Sequence, residues 1–343
     1  PPKEIMRQAV MTSPGVIEHA EVPEPTPGSG EVLLRIHRIG VCGSDVHVNH
    51  GKHPFTPYPV IQGHEFCATI ASCGQGVDGY VVGSKATALP QVVCGDCKRC
   101  RDGDYHICDN LKVKGFQAPG VAQDLFVTEA DKIVPLPDSF SFEQGAFVEP
   151  TAVAIRATRR AGSLQDKNIA VLGAGPIGNL TAQMCRARGG NVLITDISDF
   201  RLDIARQCGV ESVSNAEHES LSAASTKAFG ESGIDIVFDC AGVQASVTSA
   251  VENVNKGGTI VVVAVFGSAP QVDLAVVGDR ELTIVGTLMY QYADYEEAVR
   301  RIGSGEVQTV PLETRHFPFA EFTEAYDFID REGPRSMKVF IDL

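Results

Sequence analysis

The chain has 343 residues, 43% of them hydrophobic, and its 29 lysines and arginines face 43 aspartates and glutamates for a net charge of −14. That length can build two sizeable cores, and the acidic surplus repels phosphate backbones and anionic membranes, so neither nucleic acid nor a membrane is expected as a partner. No segment holds eighteen unbroken apolar residues, and the opening PPKEIMRQAV carries early charges and prolines instead of a basic start with an apolar run, so a cytoplasmic location is expected.

The first 150 residues are rich in proline and glycine, with short alternating segments such as EVLLRIHRIG and KATALPQVV between turn signals, a β-rich pattern. Within them stand Cys42 in GVCGSDVHVNHG, His64 and Glu65 in IQGHEF, and Glu149 in FVEP, all residue types that ligate zinc. Three protein ligands and an open fourth position make a Lewis acid that lowers the pKa of a substrate hydroxyl. Spacing does not establish that these distant residues converge, and a lone cysteine or histidine is more often a core or surface residue than a ligand. Neighbouring side chains on a regular strand point to opposite faces, so His64 and Glu65 reach one ion only if the backbone departs from strand geometry there.

Next comes CGDCKRCRDGDYHIC, with Cys94, Cys97, Cys100 and Cys108 at intervals that no helix or strand packing demands. Four close-set thiols suit a closed tetrahedral zinc site, which builds structure and not chemistry. Buried unpaired thiols or two disulfides are the alternatives. The other six cysteines are scattered, which fits reducing surroundings.

From Glu149 onward the texture changes. TAVAIRATRRAG reads as a helix, and the apolar runs IAVLGAG, NVLITD, IDIVFDCAG, TIVVVAVFG and LTIVGT alternate with helical segments, which predicts a βαβ series around a buried parallel sheet. The first run ends in Gly173-Ala-Gly175-Pro176-Ile177-Gly178 and opens a helix, the setting in which G-x-G-x-x-G binds the pyrophosphate of a dinucleotide. Asp196, closing NVLITD, suits the ribose hydroxyls and repels a 2′-phosphate, so NAD is expected over NADP. Arg201 is placed to cover the adenine or to pair with Asp196, or else forms a surface ion pair.

GVCGSDVH, GHEF, the four-cysteine loop, VEP and VLGAGPIG, in this order, resemble the zinc-dependent medium-chain dehydrogenases, in particular their sorbitol and polyol branch; the similarity runs to the closing TRHFPFAEFTEAYDFI. The resemblance implies an α/β fold in which a Rossmann doubly wound parallel sheet at 153–287 stands between two parts of a β-rich GroES-like catalytic domain, 1–152 and 288–343. It implies one structural zinc, and one catalytic zinc on Cys42 and His64 with Glu65 and Glu149 sharing the remaining carboxylate role. Asp45 is implied to orient His64, and Ser44 and His47 to form a proton relay; turn capping and a surface imidazole are the ordinary readings of those two. Val263, Val265 and Leu288 join the glycine-loop residues, Asp196 and Arg201 as NAD contacts.

The implied reaction is the reversible oxidation of a secondary alcohol of a polyol, sugar alcohol, cyclitol or sugar acid, with a homodimer or homotetramer assembled through the edge strand near TIVVVAVFG and LTIVGT. Three departures from the branch stand out: Val48 where a substrate-contacting tyrosine is usual, Met289 in place of an arginine before Tyr290, and VVGSKA in place of an acidic–basic pair. The first two make the pocket less polar; Tyr290 either compensates or merely packs. A threonine or diol dehydrogenase is the alternative within enzymes, and a non-catalytic NAD- and zinc-binding sensor the alternative outside them.

Overall fold

The structure is a computed structural model that describes residues 4–343. Two sheets organise it. One has six parallel strands in the order Ser212–Asn215, Asn191–Asp196, Asn168–Leu172, Ile234–Asp239, Val254–Val262 and Thr283–Gly286. Ile169, Ala170 and Val171 are fully buried because helices cover both faces of the sheet, which is why the central runs are apolar throughout instead of alternating. Chain order reverses between Asn168–Leu172 and Ile234–Asp239, so a crevice opens beyond the carboxyl ends of these neighbours.

The other sheet is built from both ends of the chain, in the order Glu313–Pro318, Lys338–Asp342, Glu31–Gly40, Glu65–Cys73, Lys85–Ala88 and Ile133–Pro135, with Leu125–Glu129 also pairing Glu31–Gly40. Antiparallel pairing of Lys338–Asp342 with Glu31–Gly40 brings the last residues of the chain beside the segment that precedes Cys42. The expected VVGSKA departure falls in an exposed turn, with Val81 and Val82 in water, just before Lys85–Ala88.

A helix spanning Val148–Arg160 runs through residue 152, where the sequence suggested a division, and packs against the helices Pro176–Ala187 and Tyr292–Gly303. Around it lies a core drawn from both parts of the chain, including Phe147, Ile155, Leu180, Met184, Tyr290, Tyr295 and Phe340. This shared core joins the two sheets. Among the described residues no helix is long and apolar enough to cross a membrane.

Candidate metal and nucleotide sites

Cys42 caps the short helix Gly43–Asn49: its backbone N–H donates to Asp45 Oδ2 at 3.0 Å, which turns the chain so that the thiol lies within reach of His64. His64 sits just before the strand Glu65–Cys73, and the preceding Gly63 has φ +93° with Val121 and Ile39 side chains close to where a Cβ would stand. This left-handed residue is the required break in strand geometry, and it lets both His64 and Glu65 face Cys42. Their ligand atoms and that of Cys42 lie within 4.8 Å of one another.

Glu149 does not join that trio. It projects from the first turn of Val148–Arg160 toward Tyr290, and burial pushes its carboxyl up to about 7 against the opposing pull of His64. Tyr290 and Tyr295, stacked edge to face at 5.1 Å, are fully buried, and neither hydroxyl closes a hydrogen bond. Tyr290 thus belongs to the wall behind Glu149. Val48, which stands where the branch usually has a substrate-contacting tyrosine, is fully buried and contributes to the core.

A cation fits this cluster on charge grounds. Asp45, Glu65, Glu149 and the Cys42 thiol are gathered in one buried region with Lys338 as the cation beside them, and Lys338 is committed to Glu65 at 2.6 Å. Burial and the Glu65 charge both push the Cys42 thiol up, so a thiolate there needs a further positive charge. Asp45 Oδ1 and His64 Nδ1 stand 3.6 Å apart, each without a hydrogen-bond partner. That distance exceeds a hydrogen bond, yet it points Asp45 at one ring nitrogen and leaves the other for an ion, the order in which a carboxylate fixes a ligand histidine. Ser44 and His47 lie three residues apart on the same short helix, half-buried and exposed respectively.

The four-cysteine loop closes on itself. Cys97 Sγ accepts from the Cys100 N–H, Cys94 Sγ from the Cys97 N–H, and Cys108 Sγ from the N–H groups of Cys94 and Asn110, all at 3.3–3.4 Å. Backbone donors of Asp109 and Cys100 bring the Cys97 thiol down to about 6, whereas desolvation pushes the Cys100 thiol up to about 12, so without an ion the four do not all ionise. Such N–H···S contacts stabilise thiolates, and the four sulfurs lie within 4.8 Å of one another, which suits a tetrahedral ion.

At the sheet's switch point Gly173 has φ +95°, and Gly175 opens the helix Pro176–Ala187 with Pro176 in its first turn. A Cβ on Gly178 would lie 1.8 Å from the Gly173 carbonyl oxygen, so helix and strand approach as closely as glycine allows. Asp196 accepts from the Ala174 N–H at 2.6 Å and the Ser198 N–H at 2.8 Å, which ties it to the glycine turn. Arg201 makes no ion pair with Asp196 among the described residues and is no surface residue: it is half-buried beside Gly175 and donates to the Ser336 carbonyl at 3.3 Å. Val263, Val265 and Leu288 lie just past the carboxyl ends of the last two strands, the latter two exposed.

Residues that sequence patterns did not reveal complete the picture. Ile197 and Val243 are exposed apolar side chains at the crevice rim beside Asp196 and Asp239. Phe116 packs its ring 5.0 Å from that of His64. Lys338, in SMKVFIDL, left only the signal of a lysine inside an apolar run.

Residues 28–138 match the alcohol dehydrogenase GroES-like domain family and residues 176–304 the zinc-binding dehydrogenase family. The chain is 34% identical over 317 residues to the 2-dehydro-3-deoxy-L-galactonate 5-dehydrogenase of Pseudoalteromonas atlantica, with 92% of each chain covered. It is 30% identical over 330 residues to a sorbitol dehydrogenase of Halalkalibacterium halodurans, covering 94% of this chain and 96% of that one. The solved structure of an oxidoreductase of unknown specificity from Escherichia coli superposes with a TM-score of 0.94 at 28% identity over 99% of both chains.

Proposed function

Since the chain belongs to the zinc-dependent medium-chain dehydrogenases, we propose that it oxidises a secondary hydroxyl of a sugar acid or polyol to a ketone, with hydride transfer to NAD. The observation that carries this reading is the convergence of Cys42, His64 and Glu65 in a buried, carboxylate-rich cluster, in the same chain as a dinucleotide crevice closed by Asp196. The sugar-acid preference rests on the more similar of the two relatives above, while the loss of polyol contacts at Val48 and Met289 argues only against sorbitol.

Zinc on Cys42, His64 and a carboxylate would supply a Lewis acid that favours proton loss from an alcohol. The residues around it divide the remaining work. Asp45 faces the ring of His64, Lys338 holds Glu65, and Glu149 stands apart as a buried carboxyl able to accept from a substrate hydroxyl. Ser44 takes up the substrate proton as it hands its own hydroxyl proton on to His47, which, on the exposed side of the same helix, releases it to water. The turn at Gly173–Gly178 and the apolar rim of Ile197, Val243, Val265 and Leu288 orient the dinucleotide, which fixes approach geometry ahead of chemistry.

We divide the chain at the cleft into a central nucleotide-binding part, 153–287, and a catalytic part from 1–152 and 288–343. The edge strand Thr283–Gly286, unpaired on its outer side and with Ile284 41% exposed, offers the surface for a second copy in a homodimer or homotetramer.

The test is NAD reduction followed at 340 nm on aldonates, 3-deoxy-2-keto sugar acids, alditols, inositols, diols and threonine, with zinc measured on the same protein. Turnover on a sugar acid or polyol with about two zinc ions per chain is expected; tight NAD binding with no turnover on any of these would replace the reading with a sensor.

A further inference from the structure

Four of the nine histidines, His47, His50, His53 and His64, fall within residues 47–64, a segment that also contains Lys52 and no aspartate or glutamate, in a chain with 43 acids. That gap leaves Lys52 as the one fixed charge of the segment, which begins on the helix that follows Cys42. Three of its basic groups have other work. His64 belongs to the metal cluster, His47 lies on the proposed proton path, and His50 Nε2 pairs with Asp330 at 2.8 Å. His53 and Lys52 remain.

His53 is half-buried, with its ring stacked on Phe116 at 5.0 Å and 28°, while Phe116 leans on the His64 ring, also at 5.0 Å. Two such contacts in series keep the His53 ring within about 10 Å of the His64 ring, the scale of an extended six-carbon acid with its end groups. Thr56 Oγ1 stands 2.8 Å from His53 Nδ1; with the hydroxyl donating there, the proton sits on Nε2, which has no partner among the described residues and is then free to donate. Lys52, next in the chain, is exposed and makes no ion pair among the described residues.

The metal cluster is already crowded with carboxylates. Asp45, Glu65 and Glu149 surround it, and its lysine is already bonded to Glu65. A substrate that brings its own carboxylate has to place that group away from the cluster, where a donor and a positive charge meet it. We propose that His53 and Lys52 form the carboxylate-binding subsite for a sugar-acid substrate, with the His53 Nε2–H as donor and Lys52 as the charge. This rests on the sugar-acid reading above.

The experiment is steady-state kinetics of the zinc-loaded enzyme with 2-dehydro-3-deoxy-L-galactonate, comparing wild type with His53→Ala, His53→Gln and Lys52→Ala. His53→Ala is expected to raise KM about tenfold with kcat within threefold; His53→Gln, which keeps an N–H donor, recovers much of the loss. Lys52→Ala raises KM about threefold at low salt, and the difference disappears by 0.5 M salt. Wild type that oxidises the acid, with KM unmoved in all three variants, overturns the subsite and leaves the sugar-acid reading standing. Wild type that oxidises polyols and not the acid overturns both.

Discussion

Lys338 Nζ lies 2.6 Å from Glu65 Oε2, and the two residues, 273 positions apart in the chain, are both buried. The register explains the meeting: Gly40 pairs with Glu65 across one strand boundary and with Phe340 across the other. A Cβ at Gly40 would come within 2.5 Å of Glu65 Oε2, so the absence of a side chain makes the space in which the ion pair sits. Lys338 also donates to the Val41 carbonyl at 3.2 Å, which ties the last strand to the approach to Cys42.

Lys338→Met should therefore strand a buried carboxylate beside the metal cluster. Removing one partner of a buried pair costs about 3–5 kcal/mol. The expected result is a clear fall in melting temperature together with weaker retention of the catalytic zinc, while Lys338→Arg keeps most of both. A Lys338→Met protein that melts with the wild type and keeps its metal would show that Glu65 does not depend on this cation.

The glycine turn yields a paired test. At Gly178 a methyl group would collide with the Gly173 carbonyl oxygen at 1.8 Å, a backbone atom that cannot swing aside as a flexible side chain would. At Gly175 the nearest atom to an added Cβ is Arg201 Nη1 at 3.6 Å, an ordinary contact. Gly178→Ala is expected to lower the melting temperature and NADH affinity together. Gly175→Ala should fold and melt like the wild type, yet bind NADH at least tenfold more weakly, because the methyl occupies the path of the pyrophosphate. Calorimetric titration with NADH separates the two, and unchanged affinity in Gly175→Ala would place the dinucleotide elsewhere.

These two sites differ in how far the sequence exposed them. The turn at Gly173–Gly178, the acid Asp196 and the four-cysteine loop are local, so spacing and flanking periodicity suffice to find them. Cys42 and His64 needed the resemblance, because nothing in a strand's period says that a left-handed Gly63 will turn His64 and Glu65 to one side. Lys338, Phe116 and Tyr295 were beyond both routes. Each reaches the site through sheet register or helix packing, and residues hundreds of positions apart share no local pattern.

The cysteine loop is expected to act through what it docks against. Gln291 Nε2 donates to the Gly103 carbonyl at 2.9 Å, and the Tyr292 N–H donates to the Tyr105 hydroxyl at 2.7 Å. His106, whose pKa burial and Arg156 push down to about 4, accepts as a neutral ring from Arg156 Nη2 at 2.7 Å. The loop thus clamps the start of Tyr292–Gly303, immediately after Tyr290. Cys97→Ser should lower the melting temperature by about 5 °C or more, since metal binding there is folding energy, with NADH affinity retained because the glycine turn lies in the other part of the chain. An unchanged melt would remove the structural role of the loop.

Acid stability provides a last check, through Glu297 on the helix Tyr292–Gly303. Its carboxylate meets Arg159 at 2.8 Å, Arg188 at 3.0 Å and Arg301 at 3.4 Å, which joins three helices. Burial works against the charge, but Arg188 and Arg159 prevail and hold the pKa below its ordinary 4.5. A carboxylate depressed on folding contributes stability that is fully present above its unfolded pKa and lost as pH falls through the lower folded value. Glu297→Gln should therefore melt earlier than wild type at pH 7, and the gap should narrow as pH drops below about 4.5, once the wild-type carboxylate takes up its proton. Melting curves of the two proteins between pH 7 and 3.5 decide it: a gap that stays constant across that range would mean that packing, and not the charge of Glu297, holds these helices together.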